Sequence, residues 1–238
     1  MIDSFASNKA SCQSLNRQNG LTLIEMMIAL VLGLILVSAL INIYVGSTRS
    51  SSFTRGLQSV QENGRHGISV LQRDIRLAGF TNSSVETMTP FDIVNADENT
   101  IIVRKREEFD CNGQPTTGND GVAINTYRWI EADQEIVCRG GSSAATDMVL
   151  VENVEGFRVL YGVDTDGDFS AESYVPFDGN LNPDLINSVR VGLLIGSGDP
   201  IRTRRRSETF ALLDREYSTN DRIARQVFTA TLMLRNRF

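Results

Sequence analysis

The sequence predicts an α+β fold in which a long N-terminal α-helical spine packs against an antiparallel β-sheet head, and three observations carry that prediction. The first is an apolar run long enough to span a membrane, residues 21–41. The second is a helical period that extends the run to Ala78, and the third is a change to short β-branched runs after it. The 238 residues are 41% hydrophobic and 22% charged, enough for one ordinary core and too apolar for a disordered chain. The formal charge of −6 is interspersed with basic residues, and this acidic balance argues against a dedicated nucleic-acid binder.

Residues 21–41 contain one ionisable side chain, Glu25. As a helix the run reaches about 30 Å, the thickness of a bilayer core. It is apolar on every side, where a surface helix would show one stripe, so residues 21–45 read as a transmembrane helix. Lys9 and Arg17 precede the span and Arg49 and Arg55 follow it, so charge counting leaves its direction open. Over residues 46–79 the helix becomes amphipathic. Phe53, Leu57, Val60, Gly64, Ile68, Leu71, Ile75 and Ala78 recur at steps of three or four, with Arg55, Gln58, Glu62, Arg65 and Asp74 on other faces. Gly79 closes the helix as a left-handed cap, with Phe80 as the apolar residue folding back. The glycines and hydroxyl residues between Gly46 and Gly56 predict a local bend or melting.

Residues 80–238 form the head. Strand-like runs at 100–103, 122–130, 135–138, 157–163, 188–195 and 226–234 are separated by Gly, Asn, Asp and Pro, which predicts an antiparallel sheet lying over the amphipathic half of the helix.

What precedes the span is informative in its own right. Residues 1–20 are polar and hold no apolar stretch of their own, unlike a secretory signal peptide. The junction Gly20-Leu21-Thr22-Leu23-Ile24-Glu25 resembles the type III leader of type IV pilins and type II secretion pseudopilins, with Leu21 where many members have Phe. The resemblance implies that prepilin peptidase removes residues 1–20 by cutting after Gly20, and that the new amino group of Leu21 is methylated. A carboxylate near the start of a lipid-facing helix costs about 3 kcal/mol on insertion scales, so Glu25 needs a compensating partner. The resemblance supplies one in assembly, the mature amino terminus of a neighbouring subunit. Complementation of the helix dipole in the first turn adds to it.

Further stretches narrow the resemblance. Gln61-Glu62-Asn63-Gly64-Arg65, Leu71-Gln72-Arg73-Asp74-Ile75-Arg76-Leu77-Ala78-Gly79-Phe80, Val151-Glu152-Asn153-Val154-Glu155, Tyr161-Gly162-Val163-Asp164-Thr165-Asp166-Gly167-Asp168 and Leu234-Arg235-Asn236-Arg237 resemble the PilW family of minor pilins. This implies the pilin fold and a part in initiating pilus assembly, in a priming complex near the tip. The implied partners are prepilin peptidase, other minor pilins and the major pilin, the inner-membrane assembly platform, and membrane lipid before assembly. The implied location is the bacterial inner membrane, single-pass with the head in the periplasm, and then the pilus. Glu25 argues against the outermost position, which has no subunit above it. The equivalent J-like minor pseudopilin of type II secretion shares leader, spine and head, and is the alternative.

Cleavage after Gly20 would discard Cys12 and leave Cys111 and Cys138 as an even pair. In the periplasm they can join, closing a loop whose chain-entropy stabilisation is roughly 3 to 4 kcal/mol. Two buried thiols and half of a zinc site are the other readings; the second lacks a CxxC pair and a nearby His. Asp164, Asp166 and Asp168 alternate as in a calcium loop, the one sign of a cofactor in the chain. An EF-hand would place Gly at Phe169 and Glu at Val175, although Glu172 is close, and a simple hairpin turn needs no more than Asp and Gly. Arg202, Arg204, Arg205 and Arg206 read as a solvated loop between two late strands, since no aromatic residues are interleaved as nucleic-acid binding would favour. The lone His66 sits in the helical pattern without an activatable nucleophile, so the chain does not read as an enzyme.

Overall fold

The computed structural model describes residues 20, 22–82, 87–142 and 145–236. Residues 1–19, with Cys12, and Leu21 lie outside them. The chain divides into two compact units, Met1–Thr48 and Arg49–Phe238.

The long helix α1 spans Leu23–Leu77 without interruption, so the local melting expected between Gly46 and Gly56 is absent. Hydrogen bonds from Thr48 and Thr54 hydroxyls to the carbonyls of Tyr44 and Ser50 tie those side chains to the preceding turn, a contact that slightly destabilises a helix and favours a bend. In the first unit α1 is exposed on every side, and its most apolar stretch has a mean hydropathy of 2.7. It is long and apolar enough to cross a membrane.

In the second unit the helical stripe meets β structure. Among the described residues ten strands follow: β1 (Thr100–Arg106), β2 (Val122–Ile130), β3 (Glu135–Gly140), β4 (Met148–Val151), β5 (Val154–Val163), β6 (Ser173–Pro176), β7 (Ile186–Gly196), β8 (Arg206–Leu212), β9 (Arg215–Asp221) and β10 (Arg225–Met233). The single expected sheet is in fact two four-stranded antiparallel sheets, ordered β1-β2-β3-β4 and β10-β7-β5-β6, with β8 and β9 as a separate hairpin. Trp129 of β2 donates its indole N–H to the Val154 carbonyl of β5 at 2.8 Å, tying one sheet to the other. Strand β7 is covered on both faces, which is why its sequence is apolar almost throughout. A Cβ added at Gly67 of α1 would lie 2.9 Å from Leu193, while the opposite face of β7 carries Leu212 of the hairpin 2.9 Å from the same point on Gly192.

The buried face of α1 starts at Val60 and runs through Gly64, Gly67, Leu71, Asp74 and Ile75, while Phe53 and Leu57 stay exposed. At Gly64 any side chain would enter the ring of Phe228 on β10, so the missing Cβ is what lets helix and strand approach. Gly79 takes φ +75 as expected of a left-handed cap, but Phe80 remains exposed. The helix end is closed instead by the chain terminus, where the Asn236 side chain donates to the carbonyls of Arg76 and Ala78 at 3.4 Å each.

Asp74 corrects the sequence reading most clearly. Expected on a polar face, it is 5% exposed. Its carboxylate accepts from Lys105 of β1 at 2.7 Å and from Asn125 and Tyr127 of β2 at 2.5 Å each. Lys105, itself 2% exposed, also pairs with Glu107. Burial and the adjacent Asp74 carboxylate push the Tyr127 hydroxyl well above its ordinary range, so it stays a donor. On the far side, Arg158 of β5 grips Asp214 at 2.7 and 2.6 Å and Arg225 of β10 grips Asp221 at 2.7 and 2.6 Å, fastening the hairpin to the second sheet. The hydrogen bonds from Arg225 hold the Asp221 carboxyl down at about 2.

Removing one member of a buried pair leaves the other charge uncompensated. Asp74→Ala is therefore expected to cost about 3 kcal/mol, the lower end of the usual range because Glu107 still contacts Lys105. Denaturant unfolding of the detergent-solubilised chain checks this, and a loss below about 1 kcal/mol would contradict a docking role for Asp74.

Candidate functional site

The first feature to build is the start of α1. Gly20 and Thr22 are exposed and non-helical; Leu21 lies outside the described residues. The Met26 N–H donates to the Thr22 carbonyl at 3.2 Å, which makes Thr22 the N-cap. The Glu25 N–H donates to Thr22 Oγ1 at 3.3 Å, and the Thr22 N–H donates back to Glu25 Oε2 at 3.5 Å. This is a capping box, so Glu25 satisfies a backbone donor at its own helix end as well as complementing the dipole. Sequence reasoning missed that role for Thr22, although Thr-x-x-Glu ahead of an apolar run is its signature.

The surface that follows is apolar and bare. Leu23, Leu30, Leu36, Leu40 and Ile43 are each more than three-fifths exposed, and nothing among the described residues covers them. An apolar surface of that extent requires lipid or the matching surface of another molecule.

In the head, Cys111 and Cys138 form a disulfide with Cα atoms 6.4 Å apart, which settles the open reading of the pair. The Cys111 N–H donates to Asn125 Oδ1 at 2.9 Å, and the other end of the Asn125 amide donates to Asp74. The bridge and the helix-docking network thus share one side chain.

The structure brings Asp164, Asp166, Asp168 and Glu172 together in the turn between β5 and β6, with carboxylate oxygens within 4.8 Å of one another. Phe169 takes φ +67, the backbone for which Gly is usual, so the EF-hand's residue is replaced but its conformation is kept. Val175 lies in β6 paired with Tyr161 and belongs to the sheet. The carboxylates already accept from the turn's own backbone: Asp164 from Gly167 at 2.7 Å and Phe169 at 3.0 Å, Asp166 from Asp168 at 3.1 Å, Asp168 from Ser170 at 2.7 Å, and Glu172 from Thr165 at 2.8 Å. These bonds suffice to hold a hairpin turn.

The arginine loop lies between β7 and β8, with Arg206 already in β8. Arg202 and Arg206 both reach Glu208, at 2.6 and 3.5 Å, whereas Arg204 and Arg205 are exposed. His66 is exposed on α1, as its place in the helical pattern requires.

Comparison with known proteins adds three findings. The family model described as Type IV Pilus-assembly protein W matches residues 118–236. The model described as the prokaryotic N-terminal methylation motif matches residues 15–41. Among solved structures, a type IV-like pilin from Thermus thermophilus is similar at a TM-score of 0.45 and 14% identity, covering 76% of this chain and 96% of that one. No curated protein matches the chain.

Because the acidic turn is held by its own hydrogen bonds, the melting temperature of the whole protein is expected to be equal in millimolar calcium and in chelator at matched ionic strength. A rise of several degrees with calcium, abolished by Asp166→Ala, would assign an ion to the turn.

Proposed function

The chain belongs to the PilW family of type IV pilus-assembly proteins and carries a prokaryotic N-terminal methylation motif, and from that premise we propose that it is a minor pilin working in pilus initiation, in a priming complex near the tip. In this reading residues 1–20 are the leader, residues 21–45 anchor the chain and then line the filament core, residues 46–79 carry the head, and residues 80–238 are the head. Prepilin peptidase cuts after Gly20 and Leu21 is methylated. The chain waits in the inner membrane with its head in the periplasm until the assembly platform moves it into the pilus beside other minor pilins and the major pilin.

The observation that carries this reading is the uncovered apolar half of α1 headed by a carboxylate. Lipid can take the apolar surface before assembly and neighbouring helices can take it afterwards, because neither exchange exposes a backbone group. Glu25 has a different need in each place. In the free chain the capping box gives it a weak partner in the Thr22 N–H, at 3.5 Å. A protonated amino terminus from the next subunit would replace that long contact with a shorter one between two full and opposite charges, and so fix axial register. The secretion pseudopilin is disfavoured by the family match over the head.

Glu25→Ala is expected to leave membrane insertion intact, since removing a charge favours the apolar phase. The same change should reduce the amount of chain recovered in sheared pili by about tenfold, the equivalent of roughly 1.4 kcal/mol of lost register energy. Fractionation of membranes and pili measures both quantities, and recovery in pili equal to the parent would sink the assignment of Glu25.

A further inference from the structure

The end of the second unit nearest Arg49 carries charge and apolar surface that neither the fold nor the proposed assembly contacts use. Contacts along α1 set which parts of the head lie there. A Cβ at Gly67 would meet Leu193, and one at Gly56 would meet Ile201 at 2.7 Å and Ser197 at 3.5 Å. Strand β7 therefore runs down α1 toward Arg49, and the loop of residues 197–205 that follows it lies at that end. Residues 222–224 hold the loop in place: the Arg202 N–H donates to the Arg222 carbonyl at 3.0 Å, and the Ser197 N–H donates to the Ala224 carbonyl at 2.9 Å. Arg49, Arg204, Arg205 and Arg222 are exposed and have no carboxylate partner among the described residues, and Arg55 donates only to the Ser51 carbonyl at 3.4 Å. Most carboxylates beside them are already taken, Glu208 by Arg202 and Arg206, and Glu155 and Asp221 by Arg225. Asp199 and Glu152 remain exposed at this end, while Glu131 and Asp133 lie in the β2–β3 turn of the other sheet. The helix also leaves Phe53 40% and Leu57 37% exposed, although its sequence period continues the buried stripe through both.

Resting on the reading of residues 21–45 as the membrane anchor of a chain awaiting assembly, we propose that the arginine loop, with Arg49 and Arg55, docks the head on the phosphate headgroups of anionic lipid around that anchor. Eleven residues separate Val45, where the apolar run ends, from Gly56. As helix they rise about 16 Å. The headgroup layer reaches roughly 5 to 7 Å beyond the hydrocarbon, and an anionic surface acts over about 8 Å more at physiological ionic strength, which brings lipid phosphate within reach of the loop. Guanidinium groups hold phosphate oxygens through paired N–H donors, and apolar side chains such as Phe53 and Leu57 suit the boundary beneath the headgroups. The short tether favours lipid over other anionic partners, because the anchor keeps lipid phosphate beside the loop at an effective concentration that no freely diffusing partner matches. Single-stranded nucleic acid would in addition call for aromatic rings among the arginines, and residues 197–206 hold none.

The test places the full chain in lipid nanodiscs of pure phosphatidylcholine, or of the same lipid with about one third phosphatidylglycerol, and reads backbone hydrogen exchange by mass spectrometry. At physiological ionic strength, exchange over residues 198–206 is expected to be about threefold or more slower in the anionic discs. The difference should vanish in about 1 M salt, where screening shortens to about 3 Å. The double variant Arg204→Glu, Arg205→Glu is expected to lose the protection. Parental exchange across β7 reports that its head is folded; if the Glu variant fails this, the double Gln variant replaces it, with loss of protection again expected. Equal exchange of the loop in both discs, or protection retained by the variant, overturns the proposal, and slow exchange over residues 23–41 in the same samples leaves the anchor reading standing. Protection by duplex DNA added to the neutral discs, with none from anionic lipid, also overturns it and assigns the loop to nucleic acid. Rapid exchange over residues 23–41 in both discs overturns the anchor reading, and this proposal with it.

Discussion

Helix α1 has to hold together in two surroundings, and most of what is distinctive in the chain answers to that constraint. Over its first half nothing among the described residues covers it, so only an element that satisfies its own backbone can serve there. A helix does so everywhere except at its ends. At the exposed start, Thr22 and Glu25 supply the missing partners to each other. At the other end Gly79 turns the chain and Asn236 returns to the last carbonyls. Both solutions are built from side chains close to their targets, and neither depends on water reaching the helix axis.

The second half of α1 solves a different problem, that of binding two sheets at once. Gly64 and Gly67 bring the helix axis close to β10, β7 and β4, and the small side chains leave no gap for the neighbouring rings and methyls to fill. A purely apolar contact of this kind would tolerate sliding along the axis. Asp74 removes that freedom, because Lys105, Asn125 and Tyr127 on the first sheet all converge on one carboxylate, and a shift by one turn would strand four buried polar groups. Asn125 then passes the constraint on to the Cys111 amide beside the disulfide. The sheets are thereby fixed in register along the second half of α1.

Much of this was legible in the sequence where periodicity or covalent chemistry speaks directly. The apolar run, the amphipathic period, the stop at Gly79 and the bounds of β2 needed only residue spacing. Counting, once Cys12 was set aside with the leader, left Cys111 and Cys138 as an even pair able to join, and the structure shows them joined. Asp74 was misread because a lone carboxylate inside an amphipathic pattern looks like a polar-face residue; its partners lie 31, 51 and 53 positions away. Strands β8 and β9 escaped because one side of the hairpin faces solvent, so Glu208, Arg215 and Glu216 dilute the apolar signal, and Arg206 reads as the end of a basic loop. The division of the strands into two sheets depends on pairings between segments far apart in the chain, such as β10 with β7, which no local pattern encodes.

Charge is distributed along the same lines as structure. Carboxylates inside the second unit are used for docking and fastening, Asp166, Asp168 and Glu172 of the β5–β6 turn lie at the surface beside the buried Asp164, and the one at the head of α1 caps its own helix. The proposed function requires that this chain is cut at Gly20 and becomes part of a pilus through the helix that begins there. Mass spectrometry of the N-terminal peptide from sheared, purified pili tests that claim most directly. The expected peptide starts at Leu21, carries one methyl group on its amino nitrogen and contains Glu25; a chain still bearing residues 1–20, found in membranes and absent from the pili, would refute the proposed function.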